Sequence, residues 1–345
     1  MRLPLKSPLV AAWLFVAALM IIVMVCVGGI TRLTQSGLSI TEWKPIAGAM
    51  PPANDAAWSA EFDNYKKIPQ FKEINPHMQL AQFKEIYWWE WAHRNLGRLL
   101  GAVYLIGFAV FLLMSEVPAR LIWRGAALVV LCGCQGLVGW LMVASGLTAR
   151  ISVAPEMLAS HLAMALLLLV GTIWTGAEAL EGQARGRGAP GDWRLATAVL
   201  LGLVIVQSLL GALVAGNQAG LVYNDWPLMN GHFFPYVEWA KGIGYSFLHD
   251  QGLVQFVHRM NAYLLLIYAT AYAVILSRKA NDDTIKTLAT VLSTAVWVQA
   301  TMGIATLVTG VSFGFAIVHQ LLAVCLVSLA VVLMWCVARA ERVFR

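Results

Sequence analysis

Apolar residues along this chain collect into eight runs, at 8–28, 94–113, 121–144, 155–178, 194–215, 252–276, 286–309 and 314–338, with polar stretches between them. Each run is about 20 residues or slightly longer, the length an α-helix needs to cross a hydrocarbon core. The pattern predicts an all-α polytopic membrane protein with eight transmembrane helices. The first run is expected to end at Gly28-Gly29, and the stretch after it reaches as far as Arg94. That is long for a connection in a bundle and implies structure of its own. Within it Trp58, Phe62 and Tyr65 recur at helical spacing and predict a short amphipathic helix. Asn75-Pro76 is expected to open a second one, with Leu80, Phe83 and Tyr87 on one face, leading into the second span.

Composition sharpens the class. The chain is 59% hydrophobic and 12% charged, whereas a soluble domain carries roughly twice that charged fraction. The net charge of +6 would suggest nucleic acid, but its distribution is topological. Arg2, Lys6, Arg120, Arg124, Arg185, Arg187, Arg194, Arg278, Lys279, Lys286, Arg339, Arg342 and Arg345 all fall at the termini or in short loops on one side. The opposite loop between runs three and four holds only Arg150, and that between runs seven and eight holds no Lys or Arg. By the positive-inside rule both termini are expected in the cytoplasm. Cys26, Cys132, Cys134, Cys325 and Cys336 lie within apolar runs, so no outer-loop disulfide is implied. Cys132-Gly-Cys134 sits at a spacing where helical side chains diverge, which favours packing over a redox pair. The first run lacks a small-residue cleavage site and is expected to stay as an anchor.

The second half of the chain echoes the first. Gly37-Leu38-x4-Trp43 returns as Gly220-Leu221-x4-Trp226, with Glu42 and Asp225 before the tryptophans. His93-Arg94 returns as His258-Arg259, Gln135-x3-Gly139-x6-Gly146 as Gln299-x3-Gly303-x6-Gly310, and His161 as His319. The matches keep their order, which points to duplication: a four-helix unit over residues 1–180 and another over 181–345. An even number of helices per unit gives both the same orientation, related by a pseudo-two-fold axis along the membrane normal.

Candidate chemistry gathers on the helices that run inward from the outer side. Trp88-Trp89-Glu90-Trp91-Ala92-His93-Arg94 stands where a polar loop turns into an apolar helix, and an acid and an imidazole three apart share a helix face. Ionisable groups are costly in a membrane and mark function there. His161, His258 and His319 lie near the outer ends of three later runs, so His93, His161, His258 and His319 read as two pairs of iron ligands. A packed, hydrogen-bonded histidine is the plainer reading of any single one. Two histidines from facing helices are the expected axial ligands of a haem in a four-helix bundle. Zinc fits less well, because neither half offers a third cysteine or histidine at that depth. Arg32, Arg94, Arg150 and Arg259 are available to haem propionates, with interfacial snorkelling as the alternative. His77, His232 and His249 are assigned no ligand role. Trp88, Trp89 and Trp91 suit an interfacial aromatic belt better than haem stacking. Where the first half has Glu90-x2-His93, the second has Gln255-x2-His258. A carboxylate accepts a proton or orients water, whereas an amide only hydrogen-bonds. This asymmetry suggests one substrate haem and one fixed cofactor haem. Glu90 as a plain helix-start acid is the competing reading.

The run Gly28-Gly29-Ile30-Thr31-Arg32-Leu33-Thr34-Gln35-Ser36-Gly37-Leu38-Ser39-Ile40-Thr41-Glu42-Trp43-Lys44-Pro45-Ile46, followed by Pro51-Pro52, closely resembles the haem A synthase family. The segments 88–94 and 220–226 extend the match over nearly the whole chain. The long first outer loop looks like the proteobacterial and mitochondrial branch. Some bacterial members carry a cysteine pair in that loop, and this chain has none there. The resemblance implies an oxidoreductase of the bacterial plasma (inner) membrane that converts the C8 methyl of haem O to a formyl group. It would do so by two hydroxylations and loss of water from a geminal diol, in support of cytochrome oxidase assembly. It further implies that His258 and His319 hold a permanent haem b, that His93 and His161 ligate substrate haem, and that Glu90 sits beside the reacting group. Arg32, Arg94 and Arg259 would serve the propionates. Haem O synthase is a candidate donor, the electron acceptor is left unnamed, and an oligomer is allowed. The rivals are a di-haem b electron carrier, which needs no chemistry at Glu90, and a repeat-built transporter, which needs no haem.

Overall fold

The structure, a computed structural model, describes residues 4–182 and 191–339. Its α-helices are α1 (Pro8–Leu33), α2 (Asp55–Tyr65), α3 (Pro69–Glu73), α4 (Leu80–Leu113), α5 (Ile122–Ala144), α6 (Pro155–Glu181), α7 (Gly191–Gly216), α8 (Ile243–His249), α9 (Gln251–Lys279), α10 (Asp283–Val308) and α11 (Phe313–Arg339). Among the described residues, eight helices are long and apolar enough to cross a membrane: α1, α4, α5, α6, α7, α9, α10 and α11. No strand accompanies them there; Met229 and His232 form an isolated bridge. Of the cations counted as topological, Arg2, Arg185, Arg187, Arg342 and Arg345 lie outside the described residues.

Local chemistry sets the helix ends. Ser7 caps α1 by accepting Val10 N–H at 3.3 Å, with Pro8 in the first turn where its missing N–H costs nothing. Asp250 caps α9 through Leu253 N–H at 2.8 Å, and Asp282 caps α10 through Thr284 N–H at 2.8 Å. Gly310, at φ +64°, ends α10 in the left-handed region where a side chain would be strained.

Two helix boundaries differ from the sequence expectation. α1 does not stop at Gly28-Gly29 but runs on to Leu33, with Thr31 Oγ1 donating back to Val27 O at 2.8 Å. Its glycines make room for side chains of other helices rather than ending it. α4 is also longer: Asn75-Pro76 belongs to a turn, and the amphipathic segment starts at Leu80 and continues unbroken into the second span. Its start is a reciprocal cap in which Gln79 and Gln82 each serve the other's backbone. The change from polar to apolar sequence near Arg94 marks a change of surroundings, not a break in the helix.

The spans pack as two clusters. α1 touches α4 and α6, with α5 against both of the latter; α7 touches α9 and α11, with α10 against both of these. The clusters meet where α6 contacts α7 and α11 and where α1 contacts α11. Inward faces such as Leu14, Leu169, Leu276 and Leu333 are buried, while Leu105, Ile106, Leu113 and Ile267 are outward-facing and exposed, as lipid-facing positions are. Polar groups in this core include two corresponding pairs, Tyr104 with Thr172 at 2.5 Å and Tyr272 with Thr197 at 2.6 Å.

The long loop after α1 has a core of its own. Trp58, Phe62 and Tyr65 of α2 are buried together with Leu38, Ile40, Ile68, Phe83, Tyr87 and Val143. Phe62 and Phe83 ring centroids lie 5.0 Å apart, and Trp58 and Tyr87 4.9 Å. This aromatic layer fastens residues 36–74 onto the ends of α4 and α5. Its counterpart after α7 is thinner, with Phe233, Tyr236 and Ile243 exposed.

At the opposite, termini-bearing side, Glu178 of α6 is buried and accepts Arg120 Nε at 3.2 Å and Arg124 Nη1 at 2.5 Å. Removing the acid strands two guanidinium groups beside a buried helix end. Glu178→Ala is expected to cost about 1–2 kcal/mol, below the roughly 3–5 of a fully buried pair because water still reaches Arg124. A lowered thermal midpoint in detergent checks this, and an unchanged one would show that the pair contributes no stability.

Candidate functional site

His93, His161, His258 and His319 stand on α4, α6, α9 and α11, and each lies against a glycine of a neighbouring helix. A methyl added at Gly139 would stand 2.7 Å from His161 Cε1, at Gly303 2.9 Å from His319 Cε1, at Gly28 3.1 Å from His93 Nε2, and at Gly211 3.2 Å from His258 Cε1. At Gly139 and Gly303 a Cβ would overlap the ring, and at Gly28 and Gly211 the ring would have to give by a few tenths of an ångström, so these glycines cradle imidazoles. His93 and His161 belong to one helix cluster, and His258 and His319 to the other. Among the described residues, no group of three His, Cys, Asp or Glu side chains is placed to hold a metal ion.

Amides surround three of the four rings. Gln135 Nε2 donates to His161 O at 3.1 Å and Gln299 Nε2 to His319 O at 2.9 Å. Gln207 Nε2 donates to His258 O at 3.2 Å and also lies 3.2 and 3.3 Å from the two ring nitrogens. Nδ1 of His161 and of His319, with Oε1 of Gln135 and of Gln299, is buried without a partner. Buried polar atoms are rarely left so, and such orphans mark where something is to be bound. Each cluster thus brings two glycine-cradled imidazoles, one of them (His161 or His319) with an unspent buried ring nitrogen, and imidazole is the donor type that holds haem iron in helix bundles.

Glu90 and Gln255, the unequal pair in the sequence, occupy like positions and both are buried. Glu90 Oε2 accepts Ser39 Oγ–H at 2.7 Å and Ile40 N–H at 2.8 Å, while Oε1 accepts Arg94 Nε at 3.1 Å and Nη2 at 2.6 Å. Arg94 then donates to the carbonyls of Ile40 at 2.6 Å and Glu42 at 3.0 Å. In the second half Gln255 Nε2 donates to Ala219 O at 2.9 Å and Tyr223 O at 3.1 Å, and its Oε1 accepts Arg259 Nη2 at 3.0 Å. Arg259 reaches the carbonyls of Tyr223, Asp225 and Leu228. The two residues are the same latch with opposite polarity. The first loop offers donors and takes a carboxylate; the second offers acceptors and takes an amide. All four carboxylate lone-pair sites of Glu90 are thus in use.

The remaining cations divide. Arg32 donates to Ala215 O, joining α1 to α7 across the seam, and Arg150 is exposed. Arg94, Lys44 and the newly apparent Arg98 line a cleft of about 270 Å³ with Glu42 and Glu61. Lys44 is held above its ordinary pKa chiefly by Glu42, 2.5 Å away, with Glu61 at 3.1 Å adding to it. Asp225 is held below its usual range, first by Asn230 N–H and then by Gly231 N–H and the nearby Arg259. Trp88 and Trp89 are exposed at the rim, and Trp91 packs edge-on against Trp88 at 5.2 Å. His249 lies 3.9 Å from Glu156 and against Tyr245, away from the paired histidines.

Sequence reasoning missed Gln207 and the cradling glycines. A signal was present: Gln207-x3-Gly211 repeats the spacing of Gln135-x3-Gly139 and Gln299-x3-Gly303 on the helix beside each histidine.

Residues 11–331 match the family model described as cytochrome oxidase assembly protein, COX15-CtaA. The chain is 51% identical to heme A synthase of Caulobacter vibrioides, over 97% of each chain. It is 44% identical to the protein of that name from Sphingopyxis alaskensis, over 92% of this chain and 89% of the other. With the one from a Bradyrhizobium species (strain ORS 278) the identity is 46%, over 96% and 90%.

The polarity of the latch makes a prediction. Glu90→Gln keeps the shape, but its single oxygen cannot accept from Arg94 and from Ser39 and Ile40 together, and its NH2 faces donors. The expected cost is about 1–3 kcal/mol, read as faster proteolytic nicking within residues 36–74 of the detergent-solubilised protein. Nicking at the wild-type rate would show that Glu90 does not hold the loop.

Proposed function

The chain belongs to the COX15-CtaA family of cytochrome oxidase assembly proteins, and from this we infer that it is a haem A synthase, a multi-pass membrane oxidoreductase acting on haem O. The observation that carries the reading is the pair of glycine-cradled imidazoles in each helix cluster. In the reaction we propose, the C8 methyl of haem O becomes a formyl group by two hydroxylations, each taking its oxygen from water and giving two electrons to an external acceptor and two protons to solvent, and the geminal diol then loses water. His93 and His161 would grip the substrate, and His258 and His319 a resident haem b. The resident haem would supply electron transfer when bound.

The chain's own residues do the rest. The glycine cradles let the imidazoles stand between helices without a side chain filling the gap. The aromatic layer over α4 and α5 covers the substrate side and keeps water from it. Glu90 orders Ser39, Ile40 and Arg94 one helical turn from His93. For Glu90 to take a proton or direct a water, Ser39 or Ile40 must first release Oε2. Arg94, Arg98 and Lys44, in the cleft above, and Arg259, whose buried Nε lacks a partner, are placed to meet propionates.

We place the protein in the bacterial inner membrane with both termini in the cytoplasm, a reading supported by Lys6, Arg120, Arg124, Arg278, Lys279, Lys286 and Arg339 on the termini side. The two clusters are read as duplicated units, 1–180 and 181–345, about an axis along the membrane normal. Haem O, with its long apolar tail, would arrive through the lipid or from haem O synthase.

The test is haem extraction and chromatography from cells that make haem O, with and without this chain. Haem A is expected only with it; a haem b spectrum without haem A would instead favour a di-haem electron carrier. His258→Ala or His319→Ala is expected to weaken retention of haem b by at least roughly tenfold. Wild-type haem content in both variants would reject the pairing.

A further inference from the structure

We propose that Gln207 and Asn261 are the residues that make the C-terminal haem mount permanent, and that Met24 and Leu96, which stand in their places in the N-terminal half, leave His93 a releasable ligand. The inference rests on the proposed function and concerns how one chain keeps one porphyrin while passing on another.

Each histidine lies on a glycine, and four residues before three of those glycines comes a glutamine that hydrogen-bonds the histidine: Gln135 with His161, Gln299 with His319 and Gln207 with His258; at the matching position, four before Gly28, the chain has Met24. Met24 breaks the pattern. A thioether donates no hydrogen bond, and Met24 Cε instead packs 3.1 Å from where a Cβ on Gly97 would stand, one turn beyond His93. Among the described residues no side chain hydrogen-bonds the His93 ring.

His258 has the opposite surroundings. Gln207 Nε2 touches its ring and its carbonyl, and Gln207 Oε1 accepts Asn261 Nδ2 at 2.7 Å. Gln207 is therefore held at both ends, and its grip fixes the rotation of the imidazole. Asn261 is three residues after His258; three after His93 comes Leu96. The polar chain Asn261–Gln207–His258 has become the apolar set Leu96, Met24 and His93. The Gln207 amide lies 3.2 Å from Nδ1 and 3.3 Å from Nε2 of His258 and is anchored by the His258 carbonyl and by Asn261, so it packs the ring in one orientation. Partners of this kind hold a ligating ring in its tautomer and orientation, and removing them lowers metal affinity about 10–100-fold. A cofactor site gains from that; a substrate site, which must discharge product at every turnover, does not.

The test uses the full chain purified in detergent and reads haem transfer to excess apomyoglobin. A His93→Ala background removes the substrate site from the signal. There, Gln207→Met with Asn261→Leu is expected to speed haem loss about 10–100-fold and to shift the midpoint potential of the remaining haem. Asn261→Leu alone, which leaves Gln207 in place, is expected to give a smaller change in the same direction, and it serves if the double variant fails to fold. Met24→Gln with Leu96→Asn, with the second site intact, is expected to slow release from the first. Unchanged loss rates and potentials in folded variants would overturn the proposal while leaving the proposed function standing. A wild-type protein that takes up no haem at all would overturn both.

Discussion

The structure depends on how closely helix backbones approach where an imidazole must stand between them. A histidine inside a membrane bundle needs room for a ring and for whatever the ring holds. Any side chain larger than hydrogen on the facing helix would close that room. Gly28, Gly139, Gly211 and Gly303 meet this need four times, with virtual methyls at about van der Waals overlap with the rings. Hydrophobic burial cannot select such an arrangement, because lipid is as apolar as leucine. Backbone approach and the buried amides select it.

The outer loops are coupled to these rings by the latch residues. Glu90 and Arg94 bracket His93 on α4, and Gln255 and Arg259 bracket His258 on α9. Both latches use arginine to gather loop carbonyls, and both bury a side chain of one shape. The charge differs because the loops differ in what they present: Ser39 Oγ–H and Ile40 N–H in one, Ala219 O and Tyr223 O in the other. A difference that reads in sequence as chemistry is, in the structure, also a matter of matching donors to acceptors.

Much of this was legible in the sequence. Spans were legible because crossing a bilayer imposes a length and a composition that nothing else in the chain shares. The four histidines stood out because ionisable residues are conspicuous against an apolar background. The boundaries of α1 and α4 were not, since Gly28-Gly29 looks like a stop and the polarity change at Arg94 looks like a start. Glycine was the hardest to read. Gly133 and Gly136 have open space where a Cβ would go, while Gly139 on the same helix has none, and only the neighbour across the gap distinguishes them. The partners that Arg32, Arg94 and Arg259 find within their own chain, carbonyls of Ala215, Glu42 and Leu228 among them, were not legible either. Backbone acceptors leave no trace in a sequence.

Gln320, the residue after His319, reaches out of its own cluster. Its Nε2 donates to Val25 O at 2.6 Å, and its amide fills the space above Gly29, next to the glycine beneath His93. α11 is thereby bolted to α1 at the level of the rings. One amide thus spans the seam between the clusters, and it stands directly after His319 in the chain while resting on the glycine next to the one beneath His93.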